Sequence, residues 1–560
     1  MKKHIIKGAA ALALCLSLSS CDDFLTEDVH GSQNLDTFFA NEEEVNTFIG
    51  GCYFEIAKDD WWQIYNAWLQ ADMTTDDLWD GNTTQSDGYQ DVTYFMPTAP
   101  QNGALSNFWG ARYQGIYTCN TAIKRIPGAA MDETLRAQRV AEARFLRAFF
   151  YFDLARFFGG VPLITEPISN GEGIGRNTLD EVYDFVEKEL AEVAEVLPQR
   201  SQWGAADMGR ATRGAALGLL GKVQVYHGKY ADAKVSLKKV IDEGEYELLP
   251  NFGDVWSVPF NNSKESLFEV QTMYSNQYNL GSVLTVITGC RNGVGDGWAW
   301  GTPTSDLENA YIAAGDTERL RWTIIKTGCK EIPGESNFAA FIDNNAQVFT
   351  AGGINDAKFQ NYKKEFGWGN DVYEESYVID PAQHKSARII RKYFVPLEYR
   401  GEVYDKGKIP LNHRILRYAD VLLLYAEACN ETNDDVNARL ALNEVRERVN
   451  LAPVTSSGTA LRDAIRLERR LELAYEQNRL FDIRRWDAGN GKKVMETIMG
   501  PNGSFVTYNL GPNADMYEVY NQGQSSDKGT RFTAPRDLLY PIPSEEIQRS
   551  NGALVQNEGY

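Results

Sequence analysis

The sequence predicts a mostly α-helical protein whose scaffold comes from both ends of the chain, with a loop-rich insert carrying short strands between them. Three observations carry this reading. Apolar residues recur at spacings of three and four through long stretches up to about residue 250. The same period returns after residue 411. Between residues 251 and 410 it gives way to scattered Gly, Asn, Thr and aromatic residues. The 560 residues are about four times a ~150-residue domain, so more than one substructure is expected. With 43% apolar and 24% charged residues, disordered, collagen-like and multi-span membrane classes drop out. The net charge of −21, from 56 basic and 77 acidic residues, repels polyphosphate and argues against a nucleic-acid partner.

The first twenty residues read as a leader outside the fold. Lys2, Lys3 and Lys7 form a basic start, and Gly8 to Leu18 is an apolar run too short to cross a bilayer. Leu18-Ser19-Ser20-Cys21 follows, a small-residue cleavage site ending in cysteine that resembles a bacterial lipobox. A lipidated Cys21 would carry several acyl chains, enough to anchor the protein to a membrane without spanning it. Residues 21–41 are acidic and loosely patterned, as a tether would be. Cys52, Cys119, Cys290, Cys329 and Cys429 are scattered and never in a C-x-x-C pair, so single buried thiols are expected.

The body divides into a helical region over 42–250, the insert over 251–410 and a second helical region over 411–560. A helix carrying Val45, Phe48, Ile49 and Cys52 comes first. Asp59 to Gln101, rich in aspartate and tryptophan, reads as a surface loop system. From Ala141 to Phe158 an apolar face is widened by Phe149 and Leu154, predicting a helix packed on more than one side and stopped at Gly159-Gly-Val-Pro162. Ala215 to Ile241 resembles a tetratricopeptide unit, with Gly218 and Gly221 placed to let two backbones approach. Ser266 to Thr272 is strand-like, and helices return at 418–428, 436–449 and 461–486.

Seven stretches then appear in one order. They are Cys21-Asp-Asp-Phe-Leu25; Ala141-Glu-Ala-Arg-Phe-Leu-Arg-Ala148 running into Gly159-Gly-Val-Pro-Leu-Ile164; Lys229-Tyr-Ala-Asp-Ala233; Glu265-Ser-Leu-Phe-Glu269; Arg417-Tyr-Ala-Asp420 onward to Ala428; Glu468-Arg-Arg-Leu-Glu-Leu-Ala474 with Arg479-Leu-Phe-Asp-Ile-Arg-Arg-Trp486; and Leu539-Tyr-Pro-Ile-Pro543 with Gln556-Asn-Glu-Gly-Tyr560. In this order they resemble the SusD/RagB outer-membrane lipoproteins of Bacteroidetes nutrient uptake, over nearly the whole chain. The resemblance implies a SusD-like fold of tetratricopeptide-like helix pairs, sitting as a lid on a SusC-like TonB-dependent transporter and capturing a glycan, or less often a peptide or other nutrient. It also implies surface exposure at the outer membrane, although Asp22 after the lipid cysteine is an inner-membrane retention signal under some bacterial sorting rules. The matched motifs are mostly scaffold and do not identify the ligand.

Sugar recognition needs flat apolar faces for the rings and carboxylates, amides or guanidinium groups for the hydroxyls. Two stretches offer both. Asp76-Asp-Leu-Trp-Asp-Gly-Asn82 supplies Asp77, Trp79, Asp80 and Asn82, with Trp61 and Trp62 upstream; a turn at Gly81 would present Trp79 outward. Asn292 to Gly301 supplies Trp298 and Trp300, which share a side if the loop is extended. Trp109 is expected in the core. A structural calcium on loop oxygens would fit near Asp76 to Asn82, which lacks EF-hand spacing; no other cofactor is expected.

Catalysis is not expected. His4, His30, His227, His384 and His413 show no H-E-x-x-H spacing, no serine lies in G-x-S-x-G, and Gly293 to Gly297 misses the nucleotide-loop spacings. A glycoside hydrolase is the alternative from another class, since many carboxylates make chance pairs unavoidable. The acids of the matched motifs are expected on solvated helix faces or in ion pairs.

Overall fold

The structure is a computed structural model that describes residues 38–56, 61–80, 89–275, 277–278, 280–289, 297–326, 386, 388–395, 408–515, 518 and 528–560. The leader, Cys21, Asn82, Cys290 and Cys329 lie outside these residues. Among the described residues the long helices of the first half are α1 (Glu42–Phe54), α2 (Trp61–Met73), α3 (Gly103–Arg125), α4 (Glu133–Phe158), α5 (Leu179–Ala194), α6 (Arg213–Tyr226) and α7 (Tyr230–Glu243). After the insert come α8 (Tyr418–Glu431), α9 (Asp435–Arg448), α10 (Gly458–Glu472), α11 (Arg479–Arg485) and, near the end of the chain, α12 (Ser544–Arg549).

The helices start where short polar side chains satisfy free backbone N–H groups. Asp132 accepts from Leu135 N ahead of α4, Thr212 accepts from Ala215 N ahead of α6, and Thr178 and Glu181 form a reciprocal capping box on α5. From α3 to α7 each helix packs on the next, and α7 then packs on α8, which carries α9 and α10. The array therefore runs from the first half into the second as though the insert were absent. Lying between α3 and α5 and also touching α1, α4 buries Phe145, Phe149, Phe152, Leu154 and Phe157 together, the many-sided packing its sequence predicts. Cys52, Cys119 and Cys429 are single buried thiols.

The close approach predicted for Gly221 is real. A Cβ there would stand 2.4 Å from Leu237 Cγ of α7. Gly218 serves a different neighbour, because a Cβ would meet Leu267 and Leu416 at 2.7 and 3.0 Å. Those leucines belong to a two-stranded ribbon, β2 (Ser266–Val270) against β6 (His413–Arg417), which pinches the two ends of the insert together on α6. A smaller antiparallel pair ties β1 (Leu78–Trp79) of the first region to β3 (Thr302–Pro303) of the insert, and another joins β4 (Ile324–Lys326) to β5 (Arg388–Ile390) within it.

Three sequence expectations need correction. The stretch from Asp59 to Gln101 is not a surface loop system: α2 buries Ile64, Tyr65, Trp68 and Leu69, and its apolar spacing was masked by interleaved Gln, Asn and Asp. The helix expected over 461–486 breaks at 473–478, where Tyr475 and Gln477 take left-handed φ angles of 65° and 53°. That break leaves the Glu472 carbonyl open to Arg417 Nη2 at 2.8 Å and Lys392 Nζ at 3.0 Å. Finally, of the two settings expected for the motif acids, ion pairs hold and solvated faces do not, because the pairs are interior. Glu265, Glu472 and Glu476 surround the Arg417 guanidinium at 2.6–2.9 Å, and Glu265 and Glu472 are shared with Arg448. Arg319 binds Glu468 at 2.6 Å and Glu472 at 2.9 Å. A second cluster ties Asp420 to Lys222 and Arg469, each at 2.8 Å, and Arg469 to Asp482.

Candidate functional site

The two tryptophan-bearing stretches singled out in the sequence meet in space. Leu78 pairs with Pro303 and Trp79 with Thr302, so the Asp76–Asn82 segment and the segment ending at Gly301 share one ribbon. The ribbon is braced from both sides: Thr304 N donates to the Asp77 carbonyl at 3.0 Å, and Thr304 Oγ1 to the Asp76 carbonyl at 2.6 Å. A stiff base of this kind is what a binding loop needs beneath it.

Trp79 does not project from that base. It is 4% exposed, its indole N–H donates to Glu518 Oε1 at 3.0 Å, its ring packs on Phe505, and the Lys528 ammonium lies 5.3 Å from the ring centre. The outward turn expected at Gly81 is thus corrected: residue 79 is a strand position whose side chain points inward, and a ring so covered offers no face to a sugar. Burial pushes the Glu518 carboxyl above its ordinary range, an effect that its bonds from Ser305 and Trp79 only partly offset.

Asp77 and Asp80 are interior as well. Arg470 Nη2 lies 3.1 Å from Asp76, 2.7 Å from Asp77 and 2.5 Å from Asp306, and Arg479 makes two bonds to Asp76 at 3.0 and 2.8 Å. Burial alone would raise both aspartates. Arg470 and Arg479 outweigh it at Asp76 and hold that carboxyl below the usual range; Asp77, with Asp76 as a like charge beside it, stays raised. Asp80 accepts from Tyr94 Oη at 3.0 Å. These carboxylates are buried away from any ligand: Asp76 and Asp77 face two arginines from α10 and α11, distant in sequence, and Asp80 faces Tyr94, so they are not the exposed hydroxyl partners the sequence suggested. A calcium ion at Asp76 would compete with both guanidinium groups.

The other pair divides. Trp300 is 4% exposed and belongs to the core, whereas Trp298 is half-buried and keeps part of its surface outward. Their rings sit 4.8 Å apart at 52°. Trp298 is held by its own backbone, whose N–H donates to the Val286 carbonyl at 2.8 Å, and by packing against the buried cluster of Val286, Val395, Ile409 and Leu411. For Trp61 and Trp62 the helix backbone is described and the side chains are not. Trp109 is 3% exposed against Phe158, a core residue as expected. Tryptophan content alone missed the loop over 271–280, where Met273 N donates to the Leu280 carbonyl and Tyr278 stands 63% exposed. Gln271-Thr-Met-Tyr-Ser with a second tyrosine at 278 is a polar loop studded with rings, a signal that could have been weighed.

The described histidines serve the scaffold. His413 stacks on Trp68 at 4.7 Å, and burial holds it down at about 4, so it is neutral at pH 7. His227 meets Glu187 at 2.6 Å, with Asp184 close by, and the Lys229 ammonium binds both acids at 2.7 and 3.1 Å. That trio is the one set of metal-ligand side chains that converges among the described residues, and Lys229 offsets one of its two carboxylate charges. Among the described residues no helix is long and apolar enough to cross a membrane.

A tetratricopeptide-like array with its charges paired inside, carrying a braced loop region, defines a scaffold protein that presents loops. The chain belongs to the SusD family, whose sequence model matches residues 255–560. A second family model, described as starch-binding associating with outer membrane, matches residues 23–225. SusD-like protein P2 of Formosa agariphila is 27% identical, with 100% of both chains covered. A SusD-like protein of Bacteroides ovatus is 26% identical over 87% of this chain and 83% of its own. Among solved structures, a SusD-like carbohydrate binding protein from Bacteroides fragilis superposes with a TM-score of 0.71 at 22% identity, covering 92% of this chain and 100% of that one. A laminarin binding SusD-like protein gives 0.68 at 23%, covering 93% and 100%. Together they show the shared fold.

Proposed function

We propose that the protein is a non-catalytic, cell-surface glycan-binding lipoprotein that delivers oligosaccharide to a SusC-like TonB-dependent transporter in the outer membrane. The observation that carries this reading is Trp298: a flat ring, fixed by backbone and core contacts, with part of its surface turned outward in the loop-rich insert. The description of the N-terminal family model, and the names of solved relatives that bind laminarin or carbohydrate, support the same ligand class and the outer-membrane setting.

A ring of this exposure would remove roughly 50–80 Å² from water on stacking against a sugar, worth about 1.2–2 kcal/mol at ~25 cal/mol per Å². Trp298→Ala is therefore expected to weaken binding about eight- to thirtyfold. Titration of a polysaccharide panel against wild type and variant measures this; unchanged affinity for every glycan bound would remove Trp298 from the site. The lipid anchor has its own test. Cys21→Ala should block lipidation and move the protein from the membrane pellet to soluble fractions, and continued surface labelling at the outer membrane would rule the anchor out.

A further inference from the structure

A groove of about 580 Å³ lies on the first-half helices, away from the Trp298 loops. One wall is α3, which presents Trp109, Tyr113 and Tyr117 at successive spacings of four, so the three rings lie along a single helix face. Trp109 forms the covered base, Tyr113 is half-buried and Tyr117 is 39% exposed at the mouth, beside the exposed amide of Gln114. The facing wall is the extended segment after α4, where the alternate residues Ile164, Glu166 and Ile168 line the groove. The third side comes from α12 and the chain beyond it, with Glu546 and Arg549 at the rim.

These walls are fixed before any ligand arrives. Tyr113 Oη donates to the Pro162 carbonyl at 2.9 Å, Asn120 Nδ2 to the Ile164 carbonyl at 2.8 Å, and Gly173 N to the Ser550 carbonyl at 3.2 Å. Glu166 pairs with Lys124 at 3.1 Å, and Glu546 with Arg549 at 2.5 Å, an arginine that also reaches Glu545 at 3.5 Å, so the rim offers no cluster of spare cations for a phosphate. At its start the extended wall has its backbone occupied: Leu163 N donates to Asn177 Oδ1, Ile164 N to Tyr151 Oη, and the Ile164 carbonyl accepts from Tyr151 and Asn120, so residues 163 and 164 offer no edge for an added strand. The groove is lined by a row of rings bordered by neutral amides and ion pairs.

We propose that this groove is a second binding site for a neutral oligosaccharide chain, with Tyr117 as its stacking face and Gln114 as a hydroxyl partner. The proposal rests on the sugar reading given above and adds a site to it. The test is calorimetric titration of the full mature chain with maltohexaose, laminarihexaose, xylohexaose and mannohexaose. Wild type should bind at least one of these at two sites. Tyr117→Ala should lose one class of site, or weaken it about eight- to thirtyfold, with an unchanged melting temperature; Gln114→Ala should weaken the same class; Trp298→Ala should affect only the other. Isotherms for Tyr117→Ala and Gln114→Ala identical to wild type, while Trp298→Ala abolishes binding, would overturn the second site and leave the sugar reading intact. No binding of any of the four hexasaccharides to wild type would overturn this proposal, and a wider polysaccharide panel would then decide whether the sugar reading falls with it.

Discussion

Replacing Arg417 with alanine is expected to cost about 3–5 kcal/mol of folding stability, because it strips the central cation from a cluster of carboxylates that water cannot reach. Glu265 and Glu472 are fully buried and Glu476 is 8% exposed; Arg417 bonds to all three and to the Glu472 carbonyl. Burial alone would push the Glu472 carboxyl up, but Arg448, Arg417 and Arg319 outweigh it and hold that group well below the usual carboxylate range. A carboxylate depressed in the folded state contributes stability that is present above its unfolded value, ~4.3, and is lost as pH falls through the folded one. Urea titrations at pH 7 and at a series of pH values descending from ~4.3 follow that window. The variant's deficit should be largest at neutral pH and shrink toward acid, where wild type loses the same interactions. Arg417→Lys should recover only part of the loss, since an ammonium cannot reproduce the guanidinium's planar fork. A midpoint within error of wild type at pH 7 would show that Arg448 and Arg319 suffice.

Trp79→Ala comes next in size, at about 3–5 kcal/mol of stability. The variant would leave a cavity between Phe505 and Lys528 and remove the indole donor from Glu518, a buried carboxyl already pushed up by its surroundings. Glycan affinity of the folded fraction should stay at the wild-type value. Read from sequence alone, Trp79 predicts the opposite pair of results, a weakened ligand and an untouched melting temperature. Thermal unfolding and one titration on the same preparation decide between them. A melting temperature at the wild-type value would return Trp79 to the surface.

The contrast between Trp79 and Trp298 shows how far composition carries a site. Both tryptophans sit among Gly, Asp and Asn, and nothing in the local spacing tells them apart. Trp79 is interior because β1 pairs with a strand more than two hundred residues later, which turns its side chain toward Phe505 and Glu518. The same holds for Asp76 and Asp77, whose partners Arg470 and Arg479 lie nearly four hundred residues downstream. A polar side chain in a glycine-rich stretch looks solvated until the cation that neutralises it is placed.

By itself the sequence determined the helical scaffold, the Gly221 approach and the family, because these rest on local periodicity and on motifs read in order along the chain. The family motifs kept their order, but their acids changed meaning: Glu468, Glu472 and Asp420 are periodic enough to read as amphipathic faces, yet each is within 2% of full burial. Only the tertiary structure decided which aromatic rings face outward and which acids are locked to arginine. Burial and ion pairing depend on neighbours that the chain brings together from its two ends, and the packing of α7 on α8, across the whole insert, is the contact that brings them.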